Sequence, residues 1–208
     1  MDLPKAVLDA ADVSAVTQLI LRERESRDLG RWERMRDCFW PESLVRVSWY
    51  SGNGGGFVDG SIDMAKCGIL AKHRLGPPLV NLNGNRAVAA FAAIIDLPAK
   101  LQGKEFTLSS HARFLYRAEK RDASVNGAWR LTGFDAIYMR DELTPAIPGQ
   151  TITVNPADLK NFRSTYRMLS YYLSSQGYEV NSNLPGEDRP DLVAALNAEL
   201  YGWAGINI

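Results

Sequence analysis

"FTLSSHARFLYRAEK", residues 106–120, decides the fold. Phe106, Leu108, Ala112, Phe114 and Tyr116 fall on one face of an extended chain. Thr107, Ser109, His111 and Arg113 fall on the other, as the two-residue period of a strand requires. So long a strand needs long neighbours, and the sequence supplies them on both sides. Upstream, "PLVNLNG" and "NRAVAAFAAIIDLP" flank Asn83-Gly84-Asn85, a hairpin signal. Downstream, "AWRLTGFDAIYMRD" follows across "RDASVNG". Together they predict an antiparallel meander. A curved sheet of this kind, packed on helices, is an α+β layout.

The helices come first in the chain. "DVSAVTQLILRERESRD" carries Val13, Val16, Ile20 and Leu21 at helical spacing, with Asp12 or Ser14 as its cap and Gly30 as its break. "RWERMRDCFW" predicts a second short helix with Trp32, Met35 and Phe39 on one side, stopped by Pro41. "SLVRVSWY" alternates as a strand, so Trp49 and Tyr50 point opposite ways, one to the core and one to a pocket. "SGNGGGFVDG" has neither the Lys-Ser/Thr of a phosphate loop nor its spaced glycines, and reads as a flexible connection at the rim of a pocket. A third helix is expected from Ser61 to about Arg74, stopped by "GPP". On it His73 continues the inward stripe of Ile62, Ala65 and Ile69.

Residues 1–144 then form the main domain. "NPADLKNFRSTYRMLSYYLSSQGY", with Asn155 as cap and Pro156 in its first turn, predicts one further helix, and "RPDLVAALNAELYGWAG" another. Residues 145–208 read as a C-terminal helical extension packed on the same domain, because about 60 residues are marginal alone.

Twenty-four Lys and Arg balance 24 Asp and Glu, so no basic surplus points to nucleic acid. The longest apolar run, "RAVAAFAAIIDLP", is too short to span a membrane. The N-terminal residues lack the pattern of a signal peptide. These features predict a soluble, cytoplasmic protein with two reduced, partly buried thiols, Cys38 and Cys67. Two histidines and two cysteines without ligand spacing argue against a structural zinc site.

The chain order, two helices through "LILRERESRDLGRWERMRDCF", a strand, a third helix and a meander ending in "GAWRLTGFDAIYMRD", resembles the SnoaL-like proteins of the nuclear-transport-factor-like superfamily. "DLGRW", residues 28–32, is similar to the family's turn between its first helices, and Trp129 to its last-strand tryptophan. The likeness covers roughly residues 10–142. It implies a cone-shaped, curved antiparallel or mixed sheet packed on the N-terminal helices, and usually a homodimer or homotrimer that covers exposed sheet. Within the family, scytalone dehydratase is similar as an enzymatic parallel. That resemblance places Asp28, Tyr50, His73 and His111 as catalytic residues. Hexachlorocyclohexane dehydrochlorinase, which pairs an Asp with a third-helix His, is similar at Asp28 and His73.

Those residue types suit proton abstraction next to a carbonyl. A histidine titrates near neutrality, a carboxylate fixes its tautomer, and a tyrosine polarises an oxygen. No metal or organic cofactor is needed. Alternation puts His111 on the more polar strand face, and a bulge would turn it inward. Arg113, if close, would hold it neutral. Trp49, Arg113, Phe134 and Tyr138 are candidate substrate contacts. The implied activity is a small dehydratase-like lyase or isomerase acting on a polyketide, aromatic or steroid-like molecule. The alternatives are a non-catalytic small-ligand or protein-binding module of the same fold, and the small subunit of a ring-hydroxylating oxygenase, which the C-terminal extension fits poorly.

Overall fold

Three antiparallel strands of 16 or 17 residues make the body of the molecule: β5 (Arg86–Leu101), β6 (Lys104–Lys120) and β7 (Trp129–Pro145). In the computed structural model, which describes residues 4–121 and 128–207, they pair in one continuous meander. The turn expected at "RDASVNG" lies almost wholly outside the described residues. Four more strands complete the sheet: β1 (Phe39–Val47), β2 (Tyr50–Gly52), β3 (Lys72–Leu75) and β4 (Leu79–Asn83). The order is β2-β1-β7-β6-β5-β3, with β4 also on β5, and β1 runs parallel to β7, so the sheet is mixed. The fold is α+β.

The helices are α1 (Lys5–Asp28), α2 (Trp32–Arg36), α3 (Gly54–Lys66), α4 (Arg167–Ser175) and α5 (Pro190–Ala204). Helix α1 begins earlier than expected, so Asp12 lies inside it and caps nothing. Its carboxylate instead accepts from the indole of Trp129 at 2.7 Å and from Lys120 at 3.1 Å, tying the helix to the sheet. Helix α2 ends at Arg36. Phe39, Trp40 and Pro41, expected in or just after it, belong to β1, where the register against β7 shifts between Phe39 and Leu44. Pro41 sits in that irregular stretch, where a missing N–H costs no ladder bond. Buried Val16, Ile20, Phe57, Phe91, Phe114, Tyr116 and Phe134 belong to one core between helices and sheet.

The glycine-rich stretch is not a loop. Asn53 accepts from the amide of Gly56 at 2.8 Å and starts α3 there. Two of the glycines, Gly54 and Gly56, are required by what presses on them. A Cβ on Gly54 would lie 2.6 Å from Cβ of Phe39, and one on Gly56 would meet the hydroxyl of Tyr50. Gly54→Ala gains helix propensity of about 1 kcal/mol but overpacks a buried ring at a cost of roughly 1–3 kcal/mol. The expected result is a lower melting temperature on thermal unfolding, against the helical preference of alanine.

Helix α3 also ends early, at Lys66, with Gly68 in the left-handed region just beyond it. His73 is therefore not on a helix but on β3, opposite Ile95 of β5. The long helix expected over 155–178 is broken too. A short turn at Pro156–Leu159, capped by Asn155, is separated from α4 by an extended Arg163, whose guanidinium is engaged by Asp188 and the carbonyl of Leu184. Helix α4 closes the concave side of the sheet with Leu169 and Leu173, both buried.

Helix α5 lies on the opposite side. Leu196, Leu200, Tyr201 and Ala204 pack on Val88, Leu115 and Ile137, the outward residues of the meander. Arg46 joins Asp135 at 2.5 Å to Glu199 of α5 at 2.9 Å. Part of the sheet surface expected to need a second subunit is covered from within the chain. Cys38 is buried and Cys67 exposed, and neither is in a disulfide. Among the described residues no helix is long and apolar enough to cross a membrane.

Candidate active site

Helix α1 buries charged side chains, and its spacing explains how. Val16, Leu19 and Ile20 bury an apolar stripe; the same stripe continues through Glu23, Arg24 and Arg27, which are buried as well. It passes under a cavity of about 550 Å³, counted with its open mouth. Trp49, Phe57, Phe114, Phe134, Leu169 and Leu173 supply much of its apolar wall; Arg24, Arg27, His73, Ser48 and Tyr138 supply its polar groups. Within it only about 50 Å³ admits the centre of a water molecule, so a ligand the size of a fused ring enters by moving side chains.

Asp28 is the last residue of α1, where the helix dipole disfavours a carboxylate. Two N–H groups of His73 offset that. The ring Nδ1 lies 2.6 Å from Asp28 Oδ1, and the backbone N–H of His73 donates to Oδ2 at 2.8 Å. Burial works against ionised Asp28, but these contacts win and hold its carboxyl below the usual range. An ionised Asp28 fixes the proton on Nδ1 and leaves the lone pair on Nε2. Burial, aided by the charges of Arg24 and Arg27 and opposed by Asp28, holds the imidazole below its ordinary value near 6.5. His73 is thus a neutral base at pH 7. Folding favours the neutral ring, so its stabilising effect is present above the unfolded value and is lost as pH falls through the lower folded one. Histidine NMR is expected to show an Nδ1-protonated tautomer at neutral pH and a midpoint below 6.5; a midpoint above 6.5 would contradict the burial of the ring.

Arg24 was not visible as a site residue in the sequence. It is 3% exposed and pairs in two-pronged fashion with Glu23, with Nε to Oε2 at 2.5 Å. Glu23 is itself fully buried and accepts from the hydroxyl of Tyr116 at 3.0 Å. The guanidinium lies 5.0 Å from the ring centre of Phe134 and 5.5 Å from that of Phe57. Its Nη1 stands 3.4 Å from His73 Nε2, so the base faces a fixed cation. Burial opposes the charge of Arg24, yet Glu23 keeps its pKa above the ordinary value. The readable signal for Glu23, Arg24 and Arg27 was their place on the stripe that begins at Val16.

The remaining candidates divide. Trp49, Phe134 and Tyr138 line the cavity. The phenolic oxygen of Tyr138 accepts from the backbone N–H of Ser48 at 2.8 Å, and burial pushes its pKa up to about 12, so it stays a neutral phenol. Tyr50 turns away and donates to the carbonyl of Asn53 at 2.8 Å, bracing the start of α3. His111 faces the outer side and pairs with Glu142 at 3.1 Å. A bulge does occur beside it, but the extra residue is on β7, between Tyr138 and Arg140, and the facing of β6 is unchanged. Arg113 is exposed on that same outer side. The structure brings Asp28 and His73 together and leaves His111, Tyr50 and Arg113 away from them. Among the described residues no three His, Cys, Asp or Glu side chains gather as a metal cluster.

A model of the SnoaL-like domain matches residues 9–135. Pea pathogenicity protein 2 of Fusarium vanettenii is 28% identical over 200 residues, covering 91% of this chain and 83% of that protein. Two solved structures share the fold. One is the hexachlorocyclohexane dehydrochlorinase of Novosphingobium barchaimii, with TM-score 0.54, 14% identity, and coverage of 71% of this chain and 97% of that one. The other is a provisionally named scytalone dehydratase of Novosphingobium aromaticivorans, with TM-score 0.54, 9% identity, and coverage of 69% and 97%. At these identities the likeness is one of fold, which a nuclear transport factor 2-like superfamily protein of Salmonella enterica shares at TM-score 0.53 and 18% identity, with coverage of 70% of this chain and 99% of that one.

Proposed function

We propose that this chain, which belongs to the SnoaL-like domain family, is a cytoplasmic dehydratase-like lyase or isomerase acting on a polyketide, aromatic or steroid-like molecule. One observation carries the reading: an Asp28–His73 pair whose histidine lines an aromatic-walled cavity, with Arg24 3.4 Å from its second ring nitrogen. The two structural relatives named for eliminations, of hydrogen chloride and of water, agree with that chemistry at the level of fold alone.

The steps use groups already placed. Nε2 of His73 takes the proton from carbon next to a carbonyl, and Asp28 stabilises the imidazolium that results. The electron pair moves to the carbonyl oxygen as an enolate, where Arg24 supplies positive charge and Tyr138 an O–H donor. Collapse of the enolate forms the new double bond and expels the β-hydroxyl, which receives the proton from His73 and leaves as water. For an isomerase the same proton returns to a different carbon. The chemistry asks for no cofactor.

A β-hydroxytetralone tests this, because its loss of water gives a fluorescent naphthol. Catalysed release of naphthol above the buffer rate supports the reading. A rate equal to buffer for this and other β-hydroxyketones would leave the second reading, a non-catalytic small-ligand-binding module. The contact of Arg24 on Nε2 favours that alternative, since it occupies the lone pair until a ligand displaces it.

A further inference from the structure

Arg27 is a cation without a counter-ion partner. It is 5% exposed, yet among the described residues it makes no salt bridge. Among the described residues its only side-chain hydrogen bond is a long one, from Nη2 to the sulfur of Met64 at 3.9 Å, and its guanidinium lies 5.8 Å from the ring centre of Trp32. The neighbouring carboxylates are taken. Glu23 holds Arg24, and Asp28 gives both its oxygens to His73. Arg27 lines the same cavity as Trp49, Phe57, Phe134 and His73.

Such a group is costly. A buried charge is ordinarily paired or hydrogen-bonded, and burial lowers the pKa of Arg27 to about 10, which still leaves it cationic at neutral pH. A guanidinium presents a planar fork of donors that matches a carboxylate in two-pronged fashion. The cavity's other polar groups are Arg24, already paired with Glu23, and His73, Ser48 and Tyr138; the rest of the wall is apolar and largely aromatic. We infer that the cavity selects a flat molecule bearing one carboxylate, with the carboxylate on Arg27 and the rings among Trp49, Phe57 and Phe134. The inference rests on the cavity being the substrate site and refines the substrate to an organic acid; it does not depend on which bond is broken there.

The test compares naphthoate with naphthylmethanol, a neutral partner of similar shape, by calorimetry or by quenching of tryptophan fluorescence. Hydrogen bonds to a charged group are worth about 1.5–3 kcal/mol, so naphthoate is expected to bind wild-type protein roughly ten- to a hundredfold more tightly. Arg27→Met is expected to erase the preference while naphthylmethanol still binds; Arg27→Lys, with charge but no fork, is expected to retain part of it. No naphthoate binding, or equal affinity of the two probes for wild type, overturns the inference even if a variant fails to fold. The catalytic reading is tested apart from it. A naphthoate preference that persists where no β-hydroxyketone is turned over upholds the acid site and removes the lyase. Turnover without that preference does the reverse.

Discussion

His73→Ala is expected to lower naphthol release from a β-hydroxytetralone by on the order of 10²–10⁴-fold, the range that a positioned general base contributes. The expectation follows from geometry. His73 lines the cavity, Nδ1 is committed to Asp28 at 2.6 Å, and Nε2 is the ring nitrogen left to take a proton. Asp28→Asn tests the same device differently. An amide can offer its own N–H to Nδ1, which moves the histidine proton to Nε2 and removes the lone pair from the cavity. It should depress kcat nearly as far as His73→Ala while the cavity keeps its shape. His111→Ala and Tyr50→Phe are the controls, since one side chain faces outward and the other braces α3. If His73→Ala and Asp28→Asn both keep wild-type turnover, the acid–base reading is wrong.

The second large effect is on stability. Glu23→Ala removes the partner of a cation that is 3% exposed and the acceptor of the Tyr116 hydroxyl. Breaking a buried pair on one side costs about 3–5 kcal/mol. In a chain of 208 residues each kcal/mol shifts the melting temperature by about 2–4 °C, so the loss should be plain in a thermal scan. Replacing both partners, as Glu23→Met with Arg24→Met, should cost far less than Glu23→Ala, because no charge is left stranded. Equal losses for the single and double variants would show that packing, not charge pairing, holds this part of α1.

The sheet was legible because its strands are long and alternate. Phe106 to Tyr116 announce their faces residue by residue, and the Gly84–Asn85 turn announces its hairpin. The start of α3 was not, because glycine is normally read for its freedom. Here Gly54 and Gly56 are present for want of room: the rings of Phe39 and Tyr50 come from other elements, and nothing local records their approach. That misplacement carried His73 onto a helix, whereas four residues of edge strand hold it. Glu23, Arg24 and Arg27 were passed over because charged residues on a helix read as its solvent face. Their spacing from Val16 and Ile20 said otherwise, and the pairing of Glu23 with Arg24 offsets the burial of those two.

Helix α5 bears on how the molecule behaves at low concentration. An apolar sheet face that depends on another subunit is satisfied only above that subunit's dissociation constant. Here Leu196, Leu200 and Tyr201 reach Val88, Leu115 and Ile137 through a covalent tether, and a tethered partner acts at an effective concentration on the order of millimolar. This much of the surface is protected in a dilute solution as well as in a crowded one. Dilution cannot strip it away, so the buried ions and the cavity beneath the same strands are shielded on that side whether or not a second copy is near.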